Sequence, residues 1–162
     1  MGRRVLLLML LLGLAAGCAA TPTFDEVAAT LPPPPPGDAR IVVYRAFEPY
    51  QSLSWVPVSF NGANVGAVGP GQVFVRDVPP GTYDIAPVSQ GLYPNQDKVV
   101  LAAPGQTFYA RVESFQGLNP SADRDVPLTT FVVVLVDPQT ARREIGSLSY
   151  MARYQTGPAA SG

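Results

Sequence analysis

Along residues 39–136 apolar and polar positions alternate in short runs, broken by Gly, Pro, Asn and Asp. That pattern predicts short strands joined by tight turns. Arg40-Ile41-Val42-Val43-Tyr44-Arg45 reads as a first strand with Ile41 and Val43 inward. Between Val58 and Ile85 two turn signals are flanked by β-type residues. Asn61-Gly62 predicts a type I′ hairpin, whose central residues both need positive φ. Pro79-Pro80-Gly81 predicts a second turn, with Pro presetting φ and Gly taking the left-handed position. Four strands follow from this stretch: 56–60, 65–68, 73–75 and 83–85. Lys98 to Leu101 is the next strand. In Thr107 to Glu113, Phe108, Ala110 and Val112 alternate with Tyr109, Arg111 and Glu113, the pattern of a half-buried strand. Thr130 to Val136 is apolar on both faces and requires cover on each side.

The segment after it can supply that cover. Asp137 is a good N-cap and Pro138 fits the first helical position. Ile145, Leu148, Met151 and Ala152 recur at helical spacing, although Gly146 inside such a helix costs about 1 kcal/mol. The expected domain is mainly β: an antiparallel β-sandwich of immunoglobulin or transthyretin type over 38–162, with seven to eight strands and a short C-terminal helix.

The N-terminal pattern is different. Arg3 and Arg4 precede an apolar run, Val5 to Leu14, that is too short to cross a bilayer as a helix. Residues 1–17 read as a signal peptide. Leu14-Ala15-Ala16-Gly17-Cys18 resembles a bacterial lipobox, with Ala15 where Leu is usual. The resemblance implies cleavage before Cys18 and its acylation. It also implies a diacylglyceryl group plus an amide-linked acyl chain, since one chain alone binds membranes only marginally. Ala19 after the cysteine, rather than Asp, points by analogy to the outer membrane, facing the periplasm. Residues 18–37 then form an anchor and tether. Thr23 and Glu26 have capping-box spacing. Phe24, Val27, Ala28 and Leu31 share a helical face, but two turns must dock or fray. Pro32 to Pro36 predict a stiff polyproline spacer of roughly 15 Å.

Composition narrows the chemistry. The chain has 162 residues, 47% of them hydrophobic, enough for one cored domain. Its 18 Pro and 15 Gly are dispersed between apolar runs, which suits many turns. Taking Arg3 and Arg4 from the 11 basic residues leaves 9 against 12 acidic ones, a net charge of −3 after cleavage. That is not the basic footprint of a nucleic-acid binder. One cysteine rules out an internal disulfide, and the absence of histidine removes the commonest general base and nitrogen ligand.

Candidate catalytic and metal groups all have plainer readings. Asp77 and Asp84 flank the Pro-Pro-Gly turn, as turn aspartates do. Asp123 and Asp125 lack the rest of a calcium ladder. Lys98, the only lysine, neighbours Asp97 rather than a buried serine. Gly66, Gly69 and Gly71 have the wrong order for a phosphate loop. No catalytic residue, metal ligand or cofactor site is assigned. Arg45 and Arg111, beside Tyr44 and Tyr109, either form a guanidinium–aromatic patch or pair across strands with Glu113 or another carboxylate. Phe47, Tyr50, Trp55, Tyr93 and Phe115 either plug the sandwich or make contacts.

In order and spacing, several motifs resemble a bacterial lipoprotein family catalogued as domain of unknown function 2846. They are Ala39-Arg40-Ile41 with Val43-Tyr44-Arg45; Val58 with Asn61-Gly62 and Val65-Gly66; Asp77-Val78-Pro79-Pro80-Gly81; Gly105 with Tyr109-Ala110-Arg111-Val112; and Leu135-Val136-Asp137. The likeness covers about 39–150. It implies a small β-domain on a lipid anchor and no activity. The turns are also similar, more loosely, to surface-associated modules of the PEGA type. The expected function is a non-catalytic envelope lipoprotein that binds a protein or glycan partner. The alternative is an assembly subunit of an envelope or secretion complex. The expected contact residues are Tyr50, Tyr93 and Phe115 on the long connections 47–54, 88–96 and 114–128, with Arg45 and Arg111. Those connections form one surface only if strand order brings them to the same end.

Overall fold

The computed structural model describes residues 20–48, 51–88, 95–118 and 127–154. Nine strands make two sheets. They are β1 (Ala39–Arg45), β2 (Val56–Phe60), β3 (Ala63–Val68), β4 (Gln72–Val78), β5 (Gly81–Pro87), β6 (Lys98–Ala102), β7 (Thr107–Leu118), β8 (Pro127–Val136) and β9 (Ser149–Tyr150). One sheet has the order β8-β7-β1-β4-β9, the other β3-β2-β5-β6. The expected β-sandwich is present. Its ninth strand is only two residues long, and two neighbours in the larger sheet, β1–β7 and β4–β9, run parallel.

The inner faces meet in one apolar core. Ile41, Val43, Phe74, Ala110, Val112 and Val133 of the larger sheet face Val56, Val58, Phe60, Ile85 and Val100 of the smaller. The outer face of the larger sheet is buried too. Val42, Tyr44, Val75 and Tyr109 pack under the helix α2 (Pro138–Ile145), which follows a short N-terminal helix α1 (Phe24–Ala28) in the chain. All seven residues of β1 are therefore buried. Among the described residues no helix covers the smaller sheet in this way, and Val99 and Leu101 on β6 are 60% and 73% exposed.

α1 docks rather than frays. Thr23 caps it in a complete capping box. Thr23 also forms a bridge to Ser149, and the amides of Phe24 and Asp25 donate to the carbonyls of Leu148 and Gly146. Phe24 packs edge-on against Tyr150, 6.1 Å between ring centres. The proline run thus lies between two docked elements, α1 and β1, and the Pro32 carbonyl accepts from Arg40. It does not separate an anchor from the domain.

Three local expectations change. α2 ends at Ile145, not near Ala152. A side chain on Gly146 would run into the Asp25 carboxylate, so α1 occupies the path a longer helix would take. Leu148 packs on the outer face and Met151 on the inter-sheet core, so their helical spacing is coincidental. Second, Asn61 and Gly62 have φ of 50° and 80°, as a type I′ turn requires, but Gly81 is not left-handed. Pro79-Pro80 does not close a hairpin: β4 and β5 belong to different sheets. Extended prolines suit such an arch, and Tyr83 fastens it by donating its hydroxyl to the Pro79 carbonyl at 2.9 Å. Third, β7 and β8 run longer than the apolar pattern suggests. Phe115 lies within β7, paired with Thr130, rather than in a loop.

Candidate functional site

Strand order decides whether the long connections meet. β1 runs toward Arg45, and antiparallel β4 returns from Gln72. β5, reached from β4 through two prolines, ends at Pro87, beside Val58 near the start of β2. β7 is parallel to β1 and ends at Leu118, opposite Pro127. The strand termini that carry the connections 46–55, 88–97 and 119–126 therefore all lie at one end of the sandwich. The tight connections 61–62, 79–80 and 103–106 lie at the other, whereas the three-residue β3–β4 connection, 69–71, is at the loop end. Four of the large exposed apolar side chains gather at the loop end: Phe47 (70%), Leu53 (75%), Trp55 (47%) and Val88.

The end has two halves. Over β2, β3, β4 and β9, Trp55 sits against Gly69 and Phe47 against Gly71. Ala152–Tyr154, a single 3-10 turn after β9, brings the Arg153 guanidinium 5.1 Å from the Trp55 ring centre and 4.9 Å from that of Tyr154. Over β5 to β8 the β7–β8 ladder continues past the point where β1 stops. Tyr44 pairs with Arg111, yet the ladder runs on to Leu118, so β7 reaches about 20 Å beyond β1. Gln96 braces the base of this arm, its carbonyl accepting from the Val133 amide at 2.7 Å and its side-chain amide donating to the Phe131 carbonyl at 2.8 Å.

The expected site residues fare differently. Cys18, Tyr50 and Tyr93 lie outside the described residues, as do Asp123 and Asp125; for Phe115 only the backbone is described. Arg45 is not a surface contact. It is fully buried, because the 51–54 segment folds over it. Its Nε donates to Gln51, and its two terminal nitrogens donate to the carbonyls of Ser54 (2.8 Å) and Ser52. Burial pushes its pKa down, and Glu48 partly offsets this. Arg111 lies on the opposite face of the same sheet, so the two arginines share no patch. Arg111 donates to Glu113 and to Glu144 of α2, both at 2.8 Å, and Glu144 also accepts the Tyr44 hydroxyl at 2.6 Å. Burial lowers the Arg111 pKa, but the two glutamates outweigh it and the net shift is upward. Arg111 thus pairs with carboxylates, but not across strands: Glu113 is on the same strand and Glu144 is on α2.

The aspartates are separated. Asp77 lies opposite Arg40 in the β1–β4 register and receives two hydrogen bonds from it, 2.7 and 2.8 Å. Asp84, paired with Val99 on the β5–β6 ladder, lies beside Asp97, which precedes β6. Burial and then the Asp97 carboxyl push the Asp84 pKa up. Its Oδ1 is buried without a hydrogen-bond donor. Among the described residues no group of three acidic, His or Cys side chains is placed to hold a metal ion, and no helix is long and apolar enough to cross a membrane.

Sequence reasoning passed over Leu53 and Arg153. No periodicity marks either, because both act from irregular segments whose positions depend on the closed fold. A groove of about 280 Å³ between α1 and α2, lined by Phe24, Asp25, Ala28, Tyr109, Arg142 and Ile145, was equally invisible. Set against known protein families, curated proteins and solved structures, the chain matches none. The reading of the site rests on its own geometry.

Proposed function

We propose that this chain is a non-catalytic envelope lipoprotein, held by acylated Cys18 at the periplasmic face of the outer membrane. Its sandwich binds a protein or glycan partner through the loop end. The observation that carries the reading is where the long strand-to-strand loops lie: three leave one end, beside the short 69–71 turn, while the other end has two- to four-residue turns and the start of the α2 crossover. Binding residues are commonly found on loops held by a rigid scaffold. The partner-facing half is the β7–β8 arm with the β5–β6 connection, which carry Phe115 and Tyr93. The resemblance to the lipoprotein family of domain of unknown function 2846 supports the anchor and the small β-domain, and brings no activity.

The test is crosslinking in cells followed by mass spectrometry. One variant replaces 116–129 by Asn-Gly, which closes the arm where Phe115 pairs with Thr130. A folded variant that loses a specific crosslinked partner supports recognition; an unchanged partner profile refutes it. The second reading, an assembly subunit, is favoured by the bare Val99 and Leu101 on β6. It requires a stoichiometric complex that survives extraction and is lost in Val99→Ser/Leu101→Ser.

A further inference from the structure

The docked N-terminal segment shortens the leash between anchor and domain. The Tyr150 amide donates to the Pro22 carbonyl at 2.8 Å, and Thr23 bridges Ser149. The chain is therefore fastened from Pro22 onward. Cys18 is four residues upstream, and four residues span at most about 14 Å. A bilayer holding Cys18 must lie within that reach of the β9 corner.

Exposed apolar side chains lie close to this corner. Ser149 donates to the Gly71 carbonyl at 2.9 Å, and Gly71 adjoins Phe47. Two strand spacings, about 10 Å, separate Pro22 from β4, where the loop end begins. Arg153, three residues after Tyr150, stacks on Trp55. Leu53 projects outward because the carbonyls on either side of it, Ser52 and Ser54, are turned inward to Arg45. The result is an exposed group of Phe, Leu and Trp with an arginine at its rim. Trp favours headgroup depth and Arg favours anionic headgroups. A domain already tethered within this distance meets the surface at high effective concentration, so a few side chains suffice.

We propose that Phe47, Leu53, Trp55 and Arg153 form a membrane-contact corner, which lies against the bilayer that holds the acyl chains of Cys18. The proposal rests on the lipoprotein reading for its anchor. It goes beyond that reading in giving the domain a fixed face toward lipid, with the β7–β8 arm on the other half of the loop end.

Trp55 is the only tryptophan and Cys18 the only cysteine, so both can be probed in the chain from Cys18 onward. Cys18 is coupled to a maleimide-bearing lipid in phosphatidylethanolamine/phosphatidylglycerol vesicles, with or without brominated acyl chains. The expected result is a blue shift of Trp55 emission on attachment and its quenching by bromine. Both should be lost in Phe47→Ser/Leu53→Ser, with the melting temperature kept. Emission unmoved by attachment, or quenching that survives the double substitution, overturns the contact. Mass spectrometry of the protein purified from membranes separates the two readings. Acylated Cys18 without quenching sinks the corner and leaves the lipoprotein. Unmodified Cys18 with quenching in the coupled sample sinks the lipoprotein and leaves a lipid-binding corner.

Discussion

The Arg45 guanidinium lies over the ring of Phe131, 5.1 Å from its centre, at the join between β1, β8 and the 51–54 segment. One buried cation thus holds the base of the β7–β8 arm to the loop that carries Leu53 and Trp55. Arg45→Met would leave the inward carbonyls of Ser52 and Ser54 without donors. It is expected to cost about 3 kcal/mol in urea unfolding, because buried acceptors without partners are expensive. Arg45→Lys should recover only part of this, since an ammonium cannot span the same fork of acceptors.

The hairpin at Asn61-Gly62 gives a second test. Gly62 has φ +80° and open space around its Cα, so strain rather than collision would oppose a side chain. Gly62→Val is expected to lower stability by about 1 kcal/mol or more. An unchanged melting temperature would contradict the turn.

Tyr44 ties α2 to the sheet through Glu144. Tyr44→Phe should cost about 1.5–3 kcal/mol, the range for a hydrogen bond to a charged group. Burial, and then the Glu144 carboxylate, push the Tyr44 pKa well above the ordinary phenol value; burial also raises Tyr83 and Tyr150. The folded chain therefore keeps protons that the unfolded chain releases above pH 10. Stability should fall as pH rises beyond that point. Spectrophotometric titration should show these phenols ionising together with unfolding, and early stepwise ionisation would count against their burial.

Asp84 reports on the carboxyl pair. Its folded pKa is raised, so its contribution is most favourable at low pH and is lost as pH climbs through the folded value. Asp84→Asn should melt higher than the parent at pH 7, and the difference should close as the pH drops below the ordinary aspartate range. Equal melting curves at pH 7 would mean that the carboxyl is well solvated.

Local signals carried further than pairing signals. The Asn61-Gly62 turn, the Thr23 capping box, the Asp137 cap and the inward set Ile41 and Val43 follow from neighbours in sequence, and each is found. The assignment of β4 to the larger sheet depends on its pairing with β1, and nothing near Gln72 encodes that. The burial of Arg45 has the same origin: beside Tyr44 it reads as a surface cation until 51–54 folds over it. Leu148 and Met151 mislead because two separate cores happen to sit at helical spacing. The loop end was legible as three long connections, but not as one surface, since that depends on the direction of each strand.

The parallel pairing of β1 with β7 constrains how the chain can fold. Arg40 finds its neighbour only when Thr107 has been made, and β4 gains its flank only with Ser149. Contacts this far apart in sequence make folding slow, in the millisecond-to-second range for β topologies. The central strand is the first to emerge from synthesis and among the last to be enclosed. Until then its run of Ile, Val and Tyr is exposed, and transiently exposed strands of this kind are prone to aggregate.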